Sequence, residues 1–256
     1  MQTESRKVSR RRFLKEATAV VGATSALAIL RPGSVRGAGK EFGVVVLLGP
    51  PGAGKSEQAR RLAERHSIPV ISTGDLLRDQ VRRGTPLGLQ ADSYMKVGQL
   101  VPDSLMNPIL EDRLSQPDCE RGFILDGYPR TLAQAESLDA LLTRQGLPPH
   151  IFLLDVPTER LFKLLTGRWI CPRCRRNYNI YYQPPKKEGL CDADSTPLEQ
   201  RPDDKEDVIR RRLETYQKET QPAIDYYARQ GRLLRLNGDQ PPDKVAAEIE
   251  SKLASQ

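Results

Sequence analysis

The segment Gly43 to Leu48, GVVVLL, runs straight into GPPGAGKS and then EQARRLAERH, and no other stretch of the 256 residues constrains the fold as tightly. A short β-branched, apolar burst with no polar face suits a strand buried on both sides of a parallel sheet. Gly49, Gly54, Lys55 and Ser56 satisfy the spacing GxxxxGK[ST], and the residues beyond have the charge and apolar spacing of a helix. Strand, glycine-rich loop and helix predict an α/β domain of the P-loop NTPase type, a parallel sheet flanked by helices. In such a loop glycines let backbone amides converge on phosphate oxygens, the helix N-terminus adds its positive end, and the lysine reaches the outer phosphates. Gly52, Ala53, Gly54, Lys55, Ser56 and Glu57 are therefore expected against a ligand's phosphates. A glycine-rich turn between strand and helix needs no ligand; the complete context argues for one.

The chain is long enough for one domain with small insertions. Its net charge of +7 would suggest nucleic acid or an acidic membrane surface, but residues 1–40 hold nine Lys/Arg against two Asp/Glu. Residues 41–256 carry 31 charges of each sign, so no nucleic-acid partner is expected. No apolar run reaches the roughly 18 residues a spanning helix needs, so no stable membrane insertion is expected either.

Within the first forty residues, Ser9 to Lys15 reads SRRRFLK ahead of a moderately apolar stretch, Ala17 to Leu30. This resembles a twin-arginine export signal, which predicts a leader over 1–40, a globular domain over 41–256, and transport of the folded protein to the periplasm. A cytoplasmic protein with an overextended start, or with a basic arm of no export role, is the alternative.

A phosphate loop alone leaves ATPases, GTPases and small-molecule kinases open. Three further motifs narrow the field: STGDLLR at Ser72 to Arg78, GQLVPD at Gly98 to Asp103, and DGYPRT at Asp126 to Thr131, the first and last each following a short apolar run. Here the chain resembles the adenylate kinase family, from Val44 to Leu253. The resemblance implies the reversible reaction ATP + AMP = 2 ADP with Mg2+ accompanying ATP, a monomer, and ATP, AMP and ADP as partners. It implies that AMP is held by Thr73, Arg78, Gln99, Leu100, Val101, Gly127, Tyr128, Pro129, Arg130 and Gln134, in an insertion near 72–101, in the DGYPRT motif and at the glutamine that follows it. Arg78 and Arg130 offer planar forks that can grip one phosphate at two edges. Asp126, at the carboxyl end of an apolar stretch, stands where magnesium-associated carboxylates stand in P-loop enzymes.

Cys171 and Cys174, then Cys191 and Asp194 after an intervening sixteen residues, have the spacing of two knuckles around a tetrahedral zinc ion, with aspartate as an acceptable oxygen ligand. A segment near 167–204 too small for its own core would be crosslinked by that metal. The family resemblance makes this segment a lid. It implies that Arg168, Arg201 and Arg212 close over the transferring phosphoryl group, contacting ATP and AMP between them, and with Lys55 and Arg130 they form the expected catalytic set. Asn177 and Tyr178 match lid positions next to the ATP base, and Arg235 matches a position offering its backbone there. Cys119 reads as an ordinary thiol, Arg210 and Arg211 as an exposed helix face, and His66 and His150 as surface or turn residues.

Three positions depart from the family. After GAGK it usually continues Gly-Thr-Gln, whereas this chain has Ser56, Glu57, Gln58. A carboxylate near phosphates should repel them unless cations intervene, so Glu57→Thr is expected to raise ATP affinity. Leu164 stands where an arginine usually packs on the adenine of ATP. The rival readings are another nucleoside monophosphate kinase, a nucleic-acid-binding ATPase, and a weakly active nucleotide-binding sensor.

Overall fold

The computed structural model describes residues 42–255. The leader expected over 1–40 lies outside the described residues. Strand β1 (Gly43–Leu48) is followed by α1 (Lys55–His66), β2 (Val70–Ser72), α2 (Thr73–Arg82), α3 (Pro86–Lys96), α4 (Asp103–Leu114) and β3 (Gly122–Asp126). Then come α5 (Leu132–Gln145), β4 (Pro149–Asp155), α6 (Thr158–Thr166), the short strands β5 (Arg168–Ile170) and β6 (Asn177–Asn179), and α7 (Glu206–Thr215). A π-helical turn, Tyr216–Thr220, joins α7 to α8 (Gln221–Arg229), and β7 (Leu233–Asn237) and α9 (Pro242–Ala254) complete the chain.

Five strands form the expected parallel sheet in the order β2-β3-β1-β4-β7, every pairing parallel. The unbroken apolar run of β1 makes sense there, because alternate side chains enter different cores. Val44, Val46 and Leu48 pack with residues of α2, α4, α5 and α8, while Val45 and Leu47 pack with residues of α1, α6 and α9. All five are at most 2% exposed, so a charge at any of them has nowhere to go. The carboxyl ends of β1, β2 and β3 lie side by side, since Leu47 pairs with Asp126 and Asp126 with Ser72. That register gathers the phosphate loop, STGDLLR and DGYPRT at one edge of the sheet.

β5 and β6 form a separate antiparallel pair over a cluster of only Cys171, Tyr178, Cys191 and Leu198, with Trp169 against it. So small an apolar cluster cannot support independent folding. Both histidines differ from expectation. His66 ends α1, with Nε2 3.0 Å from both carboxylate oxygens of Glu250 on α9 and its ring 4.2 Å from that of Phe42. His150 lies on β4 and is half-buried in the sheet. Packing between segments distant in sequence, invisible to ligand-spacing arguments, recruited them.

Candidate active site

The loop after β1 turns back because three of its glycines have φ values only glycine adopts freely: Gly49 at 140°, Gly52 at 85° and Gly54 at 87°. At Gly49 a Cβ would also sit 2.7 Å from the carbonyl oxygen of Leu154. Lys55 opens α1 and curls over the loop, donating to the carbonyls of Gly49 (2.7 Å) and Pro50 (2.8 Å). Ser56 Oγ donates to Asp126 Oδ2 at 2.5 Å.

On the other side, Thr73 Oγ1 and Arg130 Nε both donate to the carbonyl of Gly127, each at 2.8 Å. The backbone N–H of Arg130 donates to Gln134 Oε1 at 2.7 Å, and Gln134 Nε2 donates to Asp103 Oδ1 at 2.5 Å. These bonds fix Arg130 against α5, whose first turn is capped by Thr131 Oγ1 accepting from the Gln134 amide. The peptide between Tyr128 and Pro129 is cis.

The phosphate loop, the STGDLLR and DGYPRT residues and the arginines face one cavity, open at its mouth. Gly52, Lys55, Ser56, Thr73, Arg78, Gln99, Leu100, Val101, Asp126, Gly127, Tyr128, Pro129, Arg130, Gln134, Arg168, Arg201 and Arg212 all line it. Ala53, Gly54 and Glu57 do not. Glu57 turns outward, pairing with Arg60 (2.8 Å) and Arg61 (2.7 Å), so the cations that would shield a phosphate from this carboxylate are present on its own helix. Tyr178 is buried in the small cluster, its hydroxyl donating to Cys191 Sγ and accepting from the Asp192 amide, while Asn177 is exposed on β6. Arg235 pairs with Asp155 at 2.9 Å, and both line a second, shallow pocket at the ends of β4 and β7.

Six cations, Lys55 and Arg78, Arg130, Arg168, Arg201 and Arg212, face the cavity against two carboxylates, Asp126 and Asp203. Burial pushes the Lys55 ammonium down to about 8, partly opposed by Asp126 and reinforced by the arginines. Arg130 falls to about 10 by burial and then the charge of Arg212; Arg201 falls to about 9 by burial and then Arg168. Arg168 goes the other way: burial works against its charge, but Asp204 overrides it. Crowded, desolvated cations of one sign form a site for a polyanion.

Sequence reasoning missed Asp203 and Asp204, which follow Arg201 in QRPDD and supply the counter-charge for Arg168 and Arg212. Two adjacent carboxylates between Arg201 and Lys205 were the available signal. It also missed Thr215, Tyr216 and Thr220 on the cavity wall, for which no local signal exists.

Asp126 is 4% exposed, and Ser56 is its hydrogen-bond partner, so the pair presents hard oxygens at the cavity wall, the donor set Mg2+ takes. In the β5–β6 segment, one ligand atom from each of Cys171, Cys174, Cys191 and Asp194 lies within 4.8 Å of the others. The two halves repeat. Cys171 N–H donates to Arg176 O and Cys191 N–H to Thr196 O, Arg175 N–H returns to Cys171 O and Ser195 N–H to Cys191 O. Arg175 and Ser195 both have positive φ, 62° and 55°. Asp194 therefore stands in its knuckle where Cys174 stands in the other. Two of the ligand pairs, Cys174 Sγ with Cys191 Sγ at 3.5 Å and Cys171 Sγ with the Asp194 carboxylate at 3.6 Å, approach the ~3.8 Å edge of a zinc–thiolate tetrahedron, so three soft ligands and one carboxylate fit zinc.

A family model described as adenylate kinase matches residues 47–232. Curated relatives named adenylate kinase include that of Thermodesulfovibrio yellowstonii, 52% identical over 206 residues, which cover 80% of this chain and 96% of the relative. That of Brevibacillus brevis is 48% identical over 210 residues, 82% of this chain and 98% of the relative. That of Methanocella arvoryzae is 46% identical over 209 residues, 81% of this chain and 97% of the relative.

Proposed function

We infer a division of labour within the cavity from kinship and chemistry together: the chain belongs to the adenylate kinase family. It is a phosphotransferase that reversibly moves the terminal phosphoryl group of ATP onto AMP. In our reading ATP takes the loop side, with its outer phosphates on the amides of Gly52 to Ser56 and on Lys55, which must leave the carbonyls of Gly49 and Pro50 to reach them. AMP takes the opposite side, its phosphate between Arg78 and Arg130 and its base against Thr73, Gln134 and the Gln99–Val101 backbone. Arg168, Arg201 and Arg212 lie between, where charge spreads over the equatorial oxygens of the transferring group. They stabilise that charge without covalent chemistry, and they do so best when water is excluded.

Mg2+, when bound, neutralises charge on the outer phosphates of ATP; Asp126 and Ser56 are the residues suited to hold it. The segment near 167–204 is the cover that excludes water, with zinc in its Cys171, Cys174, Cys191 and Asp194 clip substituting for a core. The insertion near 72–101 closes on AMP. The protein works as a monomer, and its SRRRFLK leader routes the folded, metal-clipped domain to the periplasm; cell fractionation separates this from a cytoplasmic location.

The observation that carries the reading is the convergence of Lys55 and five arginines on one cavity beside a phosphate loop. The test is a phosphoryl-transfer assay of the full chain with ATP as donor and AMP, UMP, CMP and GMP as acceptors. AMP is expected to be strongly preferred, and failure to form ADP from ATP and AMP would overturn the assignment.

A further inference from the structure

We propose that Asp103 is a positioning residue for the acceptor base, anchoring the Gln134 side-chain amide so that the cavity admits adenine and refuses guanine. The proposal rests on the placement of AMP given above. Asp103 is the first residue of α4 and Gln134 the third of α5, 31 positions apart, and Gln134 Nε2 donates to Asp103 Oδ1 at 2.5 Å. The oxygen of the same amide accepts from the backbone N–H of Arg130 at 2.7 Å. A backbone N–H only donates and an ionised carboxylate only accepts, so the two anchors together allow one orientation of the amide and forbid the flipped one.

Gln134 is 5% exposed and lines the cavity together with Val101 and Met106, which lie on either side of Asp103 in the sequence. Its two bonds leave one Nε2 hydrogen and one lone pair of Oε1 unspent. Adenine presents the matching pair on its Watson–Crick edge, a ring nitrogen that accepts beside an amino group that donates, and glutamine amides meet adenine through two bonds of this kind. Guanine presents the reverse there, a ring N–H beside a carbonyl oxygen. Donor would then face donor and acceptor face acceptor, an opposition that costs more than a missing contact. A flipped amide would suit guanine instead, and Asp103 helps to prevent that flip.

A purely structural role for Asp103 makes a different prediction. Its carboxylate stands in the first turn of α4, a helix with no side-chain cap, where a negative charge is favourable whatever the cavity holds. Such a role depends on the charge alone; the positioning role depends on an acceptor oxygen facing Gln134.

The test compares the full chain with Asp103→Leu, Asp103→Ala and Asp103→Asn, measuring KM for AMP and the inhibition constant of GMP as a competitor of AMP. Leucine and alanine remove the acceptor, so the ratio of the GMP constant to the AMP constant should fall by about tenfold, the scale of a hydrogen bond to a charged group. KM for ATP should stay near wild type. Asparagine lacks the charge but can turn its oxygen to Nε2, and should hold the ratio within about threefold of wild type. A shift of the two constants together, an asparagine variant that follows the other two, or an unchanged ratio in both variants without the acceptor would each overturn the proposal. Gln134→Leu separates this from the placement of AMP: it should raise KM for AMP by about tenfold or more, and Asp103→Leu added to it should leave the ratio where Gln134→Leu put it. An unchanged KM for AMP in Gln134→Leu would overturn the placement of the base and this inference with it.

Discussion

Arg168 grips Asp204 through two parallel hydrogen bonds, Nε to Oδ2 at 2.7 Å and Nη2 to Oδ1 at 2.5 Å, and Arg212 adds a third contact to the same carboxylate at 3.0 Å. Asp204 is 1% exposed, so one buried charge holds two of the arginines that face the reaction cavity. Breaking a buried pair from one side leaves the other side uncompensated. Asp204→Ala is expected to cost about 3–5 kcal/mol of stability and to lower kcat by at least about tenfold, because Arg168 and Arg212 lose their shared anchor. Denaturant unfolding and steady-state kinetics check this; wild-type values for both would mean that Asp203 alone suffices.

Lys55 should make nucleotide binding proton-linked. Its ammonium titrates near 8 in the nucleotide-free protein against an ordinary 10.5, and phosphates brought beside it raise that value again. The folded protein is the weaker proton binder here, so the group opposes folding below about 8 and this opposition fades as pH rises from 8 toward 10.5. ATP binding at pH 8.5 to 9 is accordingly expected to take up a fraction of a proton. Calorimetry in buffers of different ionisation enthalpy measures it, and Lys55→Met should reduce it to the share that Arg201, held down to about 9, contributes.

The fate of Glu57 shows where reading from sequence ended. The β1 run, the phosphate loop and the parallel sheet were legible because each is written in contiguous residues with one period and one turn chemistry. STGDLLR and DGYPRT were legible for the same reason, and the register of β1, β2 and β3 sets them beside the loop. Side-chain direction was not legible. Whether Glu57 meets phosphates or Arg60 and Arg61, and whether Ser56 meets Asp126, depends on rotation about α1 and on partners up to 70 residues away. The same holds for the His66–Glu250 pair, 184 residues apart, and for Thr215 and Tyr216, which a π-helical turn helps to set on the cavity wall.

The expectation for Glu57→Thr changes with that geometry. With the carboxylate neutralised by Arg60 and Arg61 on the helix exterior, its removal should alter ATP affinity by less than about threefold, rather than raise it clearly. Two partly exposed pairs are lost, so stability should fall by no more than about 1 kcal/mol. Competitive titration of ATP and a denaturation curve decide both points; a gain in ATP affinity above tenfold would restore the repulsion argument.

The clip predicts a sharp metal dependence. Zinc content per chain is expected to be one in the wild type and in Asp194→Cys, which completes a four-thiolate set, and near zero in Cys171→Ser. Stripping the metal removes what the Cys171, Tyr178, Cys191 and Leu198 cluster cannot replace, so the thermal midpoint should fall by about 5–10 °C. Elemental analysis with calorimetric scanning tests this, and an unchanged midpoint after complete metal loss would show that the knuckles hold through backbone hydrogen bonds alone.

Gly98 carries the last prediction, because it joins the acceptor side to the arginines. Its φ is +75°, and a Cβ there would lie 3.0 Å from the carbonyl oxygen of Val208 and 3.1 Å from Cγ of Arg212. Its own carbonyl accepts from Thr215 Oγ1 at 3.2 Å, so α7 packs on this residue at both ends of the contact. Gly98→Ala therefore forces a strained backbone and displaces either the Gln99–Val101 wall or the Arg212 stem. Both KM for AMP and kcat should worsen, each by about tenfold or more, while ATP binding to the loop stays near wild type. Thr215→Val, which removes only the hydroxyl, should raise KM for AMP with a smaller effect on kcat. Steady-state kinetics with each substrate varied in turn separates the two; a Gly98→Ala variant with normal AMP kinetics would show that α7 and the acceptor insertion move independently.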